Sequence, residues 1–168
     1  MIHHASLLVV AASLMVAAIG LPAQATTARP SAEEENNRAR IARSFDAWRN
    51  GTGGPYDLLA EDAVWTITGN SVAAKTYQSR EAFMSEVIRP FNARMRSHLV
   101  PTVRHLYAEG NTVIAFFDAS GETRDGQTYA NTYAWFLEMK DGRIVRAHAF
   151  FDSIVFDSFW RRVTPELK

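Results

Sequence analysis

The chain has no cysteine. That absence removes disulfides, thiolate metal sites, a cysteine nucleophile and a lipid-bearing cysteine together. There is no excess of either charge: Lys and Arg total 18, and Asp and Glu total 18. A nucleic-acid binder carries a basic footprint and an acidic solvating tail carries the reverse, so neither is expected. No G-x-G-x-x-G or Walker-type loop occurs, and no cofactor is implied. No two histidines have the spacing a metal needs. His98 and His105 fall on opposite faces of one predicted strand, and His148 falls on another, so no metal site is expected. Ser79, Ser120 and Ser153 lack the His/Asp context of a nucleophile.

Charge is also missing from residues 1–25, which hold no Asp, Glu, Lys or Arg and no aromatic residue. Ala5–Leu21 is an apolar run ended by Pro22, and Ala23-Gln24-Ala25 fits the small-x-small rule for signal-peptidase cleavage. The run is short for a spanning helix, which needs about 20 residues. The expected organisation is a signal peptide over 1–25, a linker over 26–32 and one domain over 33–168. The expected location is periplasmic or secreted, with no stable membrane anchor after cleavage. Ten Phe, five Tyr and four Trp all follow residue 25, and a domain of this size builds one core without disulfides.

Ser31-Ala32-Glu33-Glu34 is a capping-box pattern. The helix it opens carries Ile41, Phe45 and Trp48 on one stripe and ends at Gly51-Thr52-Gly53-Gly54-Pro55. Tyr56–Ala60 reads as a short helix, Val64–Thr68 as a short strand and Gly69–Gln78 as a loop. Ser79 caps a second long helix striped by Phe83, Val87 and Phe91, which Pro90 kinks or ends. Four strands follow: His98–Ala108, Thr112–Thr123, Gln127–Met139 and Arg143–Phe151. Asp125-Gly126 and Asp141-Gly142 are hairpin signals, so these strands form an antiparallel meander. Ser153–Arg162 is a terminal helix with Asp152 at its N-cap. This order specifies an α+β fold. The expected architecture is a cone-shaped, curved antiparallel sheet wrapped over N-terminal helices, an α+β barrel with a pocket inside.

Four stretches resemble the nuclear transport factor 2-like superfamily, in its SnoaL-like, ketosteroid isomerase-related branch. They are Leu59–Trp65, Tyr129–Tyr133, Asp141–Ile144 and Phe150–Asp152. Spacing and element order match over residues 33–162. The resemblance implies a deep cavity and a homodimer through the outer sheet face. It does not imply one activity, because this fold hosts isomerases, cyclases, hydrolases and binding modules.

The known catalytic positions of the family are not retained. The isomerase base falls on Ile67, its tyrosine on Phe45 and its protonated aspartate on or beside Ala134. The cyclase carboxylate falls on Ala149. The epoxide-hydrolase set falls on Ala149, Phe116, Asp118, Trp65 and Ile67, of which only Asp118 can act on a proton.

Strand alternation anchored on the family's cavity positions turns Asp118 and Phe116 inward, with Asn131, Tyr133 and Trp135, and with Ala149 and Phe151. Together with Phe45, Trp48, Trp65, Ile67, Phe83 and Val87 they form an aromatic-rich pocket. A dry, inward Asp118 has a raised pKa and is a candidate base. Tyr133 and Asn131 are candidates to orient a carbonyl or hydroxyl. The leading reading is an exported domain that binds a small apolar molecule. The alternative is an isomerase, cyclase or hydratase with Asp118 as base and Tyr133 or Asn131 orienting the substrate. A third is a partner-binding domain whose cavity is filled by its own side chains.

Overall fold

The structure is a computed structural model that describes residues 29–166. The expected signal peptide, 1–25, lies outside the described residues. Ser31 caps helix α1 (Ala32–Arg49). Its hydroxyl accepts from the Glu34 N–H at 3.1 Å, and the Glu34 carboxylate accepts from the Ser31 N–H at 2.6 Å. The other Glu34 oxygen accepts from the Gly110 N–H at 2.7 Å, which ties the helix start to a hairpin turn. Ile41 and Phe45 are fully buried, as the stripe requires.

A 3-10 turn (Pro55–Leu58) runs directly into β1 (Leu59–Ile67), a longer strand than the sequence suggests. The following loop contains a two-residue strand, β2 (Thr76–Tyr77). Ser79 caps the next helical run by accepting from the Ala82 N–H at 3.1 Å. That run is α2 (Arg80–Phe83), a π segment (Met84–Ile88) and α3 (Arg89–Asn92). The chain passes through Pro90 rather than ending there. Pro90 has no N–H, and its ring crowds the carbonyl one turn back. The wider winding just ahead of it, with the Arg89 N–H bonded to the Met84 carbonyl, accommodates it.

The meander forms as expected from β3 (Val100–Glu109), β4 (Thr112–Glu122), β5 (Thr128–Lys140) and β6 (Arg143–Phe151). Asp141 and Gly142 have φ of 51° and 73°, the left-handed pair that a tight hairpin turn demands. Asp152 caps α4 (Ser153–Arg162) by accepting from the N–H groups of Ile154 and Val155.

The sheet corrects the expected architecture. Its order is β2-β1-β6-β5-β4-β3. β1 pairs with β6 in parallel, so the sheet is mixed rather than antiparallel. β2 and β3 are its two edges and no ladder joins them, so it is open and not a cone or barrel. The two-residue β2 is far too short to close a sheet of this width. β5 alternates buried and accessible along its length, so one face is packed and the other open. On the packed side α1 lies against β3 and β4, α2 against β1, and α4 against β5.

Candidate functional site

The helices and the packed sheet face leave a cavity of about 540 Å³ between them. Its sheet wall is Trp65 and Ile67 from β1, Tyr133 and Trp135 from β5, and Ala149 and Phe151 from β6. Its helix wall is Phe83, Met84, Val87, Ile88 and Phe91, from the run that contains the π segment. Trp48 and Tyr56 close the side toward α1. The rings lock one another. Trp65 stacks on Phe83 at 4.4 Å and 10°, and Trp48 on Trp135 at 5.9 Å and 11°. Phe117, fully buried behind the wall, stacks on Tyr133 at 4.9 Å and 10°. Such ring contacts add about 0.5–1.5 kcal/mol per pair beyond burial, so the wall is rigid. The Trp65 indole N–H is buried with no hydrogen-bond partner among the described residues. Buried donors are nearly always paired, and rule-breaking groups concentrate at functional sites.

Tyr56 and Tyr133 bring hydroxyls to the cavity wall, and Tyr129 lies behind Tyr133. Tyr129 and Tyr133 hydroxyl oxygens lie 2.8 Å apart, and Asn131 Nδ2 donates to Tyr129 at 3.1 Å. Burial, with Tyr129 alongside, holds the Tyr133 hydroxyl well above the usual tyrosine range, and burial raises Tyr56 too. Both stay neutral near pH 7 and act as hydrogen-bonding groups rather than bases. The charged or titratable side chains on the lining other than tyrosine are Asp57, Arg96 and His98, all exposed at the mouth.

A model of the SnoaL-like domain family matches residues 37–147. The chain belongs to the SnoaL-like family. No curated protein matches it. Among solved structures it is similar to Bal32a from a soil-derived mobile gene cassette, at 24% identity and TM-score 0.62, over 77% of this chain and 99% of that one. It is similar to a proposed SnoaL-like polyketide cyclase from Jannaschia sp. CCS1, at 15% identity and TM-score 0.64, over 82% and 99% of the two chains. It is also similar to TerC, co-crystallized with polyporic acid, at 17% identity and TM-score 0.59, over 74% and 98%. These likenesses establish the nuclear transport factor 2-like fold.

The SnoaL-like domain places most of the expected pocket residues on the cavity wall: Trp48, Trp65, Ile67, Phe83, Val87, Tyr133, Trp135, Ala149 and Phe151. Phe45 lies deeper, fully buried against Phe117 and Trp135. Asn131 sits behind the wall, bonded to Tyr129 and to the backbone of Asp152.

Phe116 and Asp118 are corrections. In β4 the packed side is Val113, Ala115, Phe117 and Ala119, so Phe116 and Asp118 face the other way. Phe117 pairs with Tyr133 and Ala119 with Asn131, and directly opposed residues share a face. Asp118 accepts from Thr132 Oγ1 at 2.7 Å and from Arg104 Nε at 2.6 Å on the open face. The Thr132 hydroxyl, then Arg104, hold its carboxyl below the usual carboxylate range, the reverse of the shift a dry cavity base needs.

Tyr56, Met84, Ile88 and Tyr129 join the SnoaL-like site beyond the residues expected for the pocket. Tyr56 was hidden in the short turn after α1. Met84 and Ile88 stand next to Phe83 and Val87 of the helical stripe and reach the wall from the π segment. Tyr129 did carry a signal: Tyr129, Asn131 and Tyr133 stand two apart on one strand, hence on one face. No group of three or more His, Cys, Asp or Glu side chains among the described residues is placed to hold a metal. No helix among them is long and apolar enough to cross a membrane.

Proposed function

We propose that this chain is an exported SnoaL-like domain that binds a small apolar molecule in its aromatic cavity. The observation that carries the reading is a cavity of about 540 Å³ walled by locked aromatic rings, whose charged lining residues, Asp57 and Arg96, are exposed at the mouth. Pockets for small organic ligands are concave, mostly apolar and served by a few placed polar groups. The small side chain of Ala149 keeps space open on the sheet wall, at the position where the resemblance to SnoaL-type cyclases implies a carboxylate. Asp118 faces away from the cavity and is engaged by Arg104 and Thr132, so the geometry gives no support to proton transfer by Asp118.

Native mass spectrometry of the purified protein tests the reading: a co-purifying mass of a few hundred daltons, released on denaturation, supports it. N-phenyl-1-naphthylamine, a neutral apolar fluorophore, supplies the same test without the natural ligand. A protein that carries no small molecule and leaves the dye unbound overturns the proposal. Export is proposed from residues 1–25, and an intact mass beginning at Thr26 after expression with the native leader supports it.

The second half of the proposal is a homodimer through the open sheet face. Phe136 and Phe150 pair there edge-to-face at 5.8 Å and both are exposed. Arg146 binds Glu138 and Arg104 binds Asp118 on the same face. An apolar centre with both charge signs around it suits self-complementary, twofold pairing.

A further inference from the structure

We infer that Tyr133 is the polar anchor of the cavity, its hydroxyl aimed to donate to a neutral oxygen acceptor on the bound molecule, a carbonyl above all. Asn131 and Tyr129 are the positioning residues that aim it. The inference rests on the cavity being a ligand site and adds the chemistry of what it holds.

Asn131 Oδ1 accepts from the backbone N–H of Thr132 at 2.8 Å and of Asp152 at 3.0 Å. That atom is therefore the oxygen, and the amide cannot be turned over. Asn131 Nδ2 donates to the Asp152 carbonyl at 3.0 Å and to the Tyr129 hydroxyl at 3.1 Å. All four of its capacities are used.

Tyr129 thus receives a proton from Asn131 and must place its own. It is buried, and the Tyr133 oxygen at 2.8 Å is its partner. The reverse direction, Tyr133 donating to Tyr129, would strand the Tyr129 proton in a dry site, which is unfavourable. The chain of donation therefore runs from Asn131 to Tyr129 to Tyr133. Tyr133 ends it with its oxygen accepting and its proton unclaimed by any described residue, on the cavity wall. A hydroxyl that already accepts is also a stronger donor.

The ring carrying this hydroxyl is fixed by its stack on Phe117. Tyr56, on the side toward α1, lines the same cavity and offers a second hydroxyl. The charged or titratable lining residues, Asp57, Arg96 and His98, are exposed at the mouth, so the group that meets Tyr133 on the buried wall is neutral. Flat ring faces on both walls favour a flat body.

The test uses 9-fluorenone and fluorene, which share a flat ring system and differ by one carbonyl. Fluorenone is expected to bind about three- to tenfold more tightly than fluorene, the range of one neutral hydrogen bond. Its carbonyl stretch, read by infrared difference spectroscopy, is expected to fall on binding. Tyr133→Phe is expected to abolish both the preference and the shift. Tyr129→Phe, which keeps the anchor but not its aim, is expected to reduce both. If both compounds bind equally and the stretch stays at its apolar-solvent value, the anchor is wrong while the ligand cavity stands. If neither binds, the cavity reading falls and the anchor with it. A preference that survives in folded Tyr133→Phe also overturns the assignment. Should that variant fail to fold, the stretch in the unaltered protein decides alone.

Discussion

Asp118 and Tyr133 stand on neighbouring strands but on opposite faces of one sheet. Phe117 pairs with Tyr133 toward the cavity, and the next residue, Asp118, pairs with Thr132 toward the open side. The carboxylate with the best sequence credentials for catalysis is thus separated from the cavity by the sheet itself.

Asp118→Asn is therefore expected to leave binding of N-phenyl-1-naphthylamine unchanged in a fluorescence titration. Its effect belongs to stability and depends on pH. A carboxylate depressed in the folded state contributes stability above its unfolded pKa of about 4. That contribution is lost as pH falls through the lower folded value. Melts of the parent and Asp118→Asn are expected to differ slightly at neutral pH, as for any exposed pair, and to converge as the solution is acidified through that lowered value. A difference that grows on acidification would contradict the ion pair with Arg104.

Ala149→Phe is expected to fill the cavity from its sheet wall. Dye affinity should fall at least about tenfold, against a cost of about 1–3 kcal/mol in unfolding free energy from overpacking. Unchanged affinity in a folded variant would place the dye elsewhere.

Phe117→Ala removes the ring on which Tyr133 stacks and against which Phe45 and Trp135 pack edge-to-face. Urea denaturation is expected to show a loss of about 3–5 kcal/mol. Phe116→Ala, on the open face, should cost much less, and that contrast tests which face of β4 is packed.

Phe136→Glu combined with Phe150→Glu places like charges at the centre of the proposed dimer interface. Sedimentation at micromolar concentration is expected to show dimer for the parent and monomer for the variant. A monomeric parent removes the dimer proposal.

The caps were legible because each is a local device: Ser31 with Glu34, Ser79 and Asp152 bond within three residues of themselves. The meander was legible through its Asp-Gly turns. The face of β4 was not, because Ile114 and Phe116 are as apolar as Val113 and Phe117, and alternation alone cannot choose between them. Hairpin register can. With Glu122 opposite Thr128, an inward Tyr133 forces an inward Phe117. The parallel β1–β6 pair joins residues about half the chain apart, such as Ile67 and Ala149, and no local pattern encodes it.

The π segment at Met84–Ile88 has a consequence of its own. Each residue of an α-helix advances the chain by about 100° around its axis. A π turn holds one residue more than the α turn it replaces, so this wall carries a spare step. Deleting one residue between Ser79 and Phe91 can be absorbed by rewinding those five residues as ordinary helix, with the Ser79 cap left in place. Residues beyond the change would then keep nearly their present facing, while the wall between Phe83 and Phe91 loses one side chain. A single codon lost there is a means of re-cutting the cavity's shape without touching the sheet.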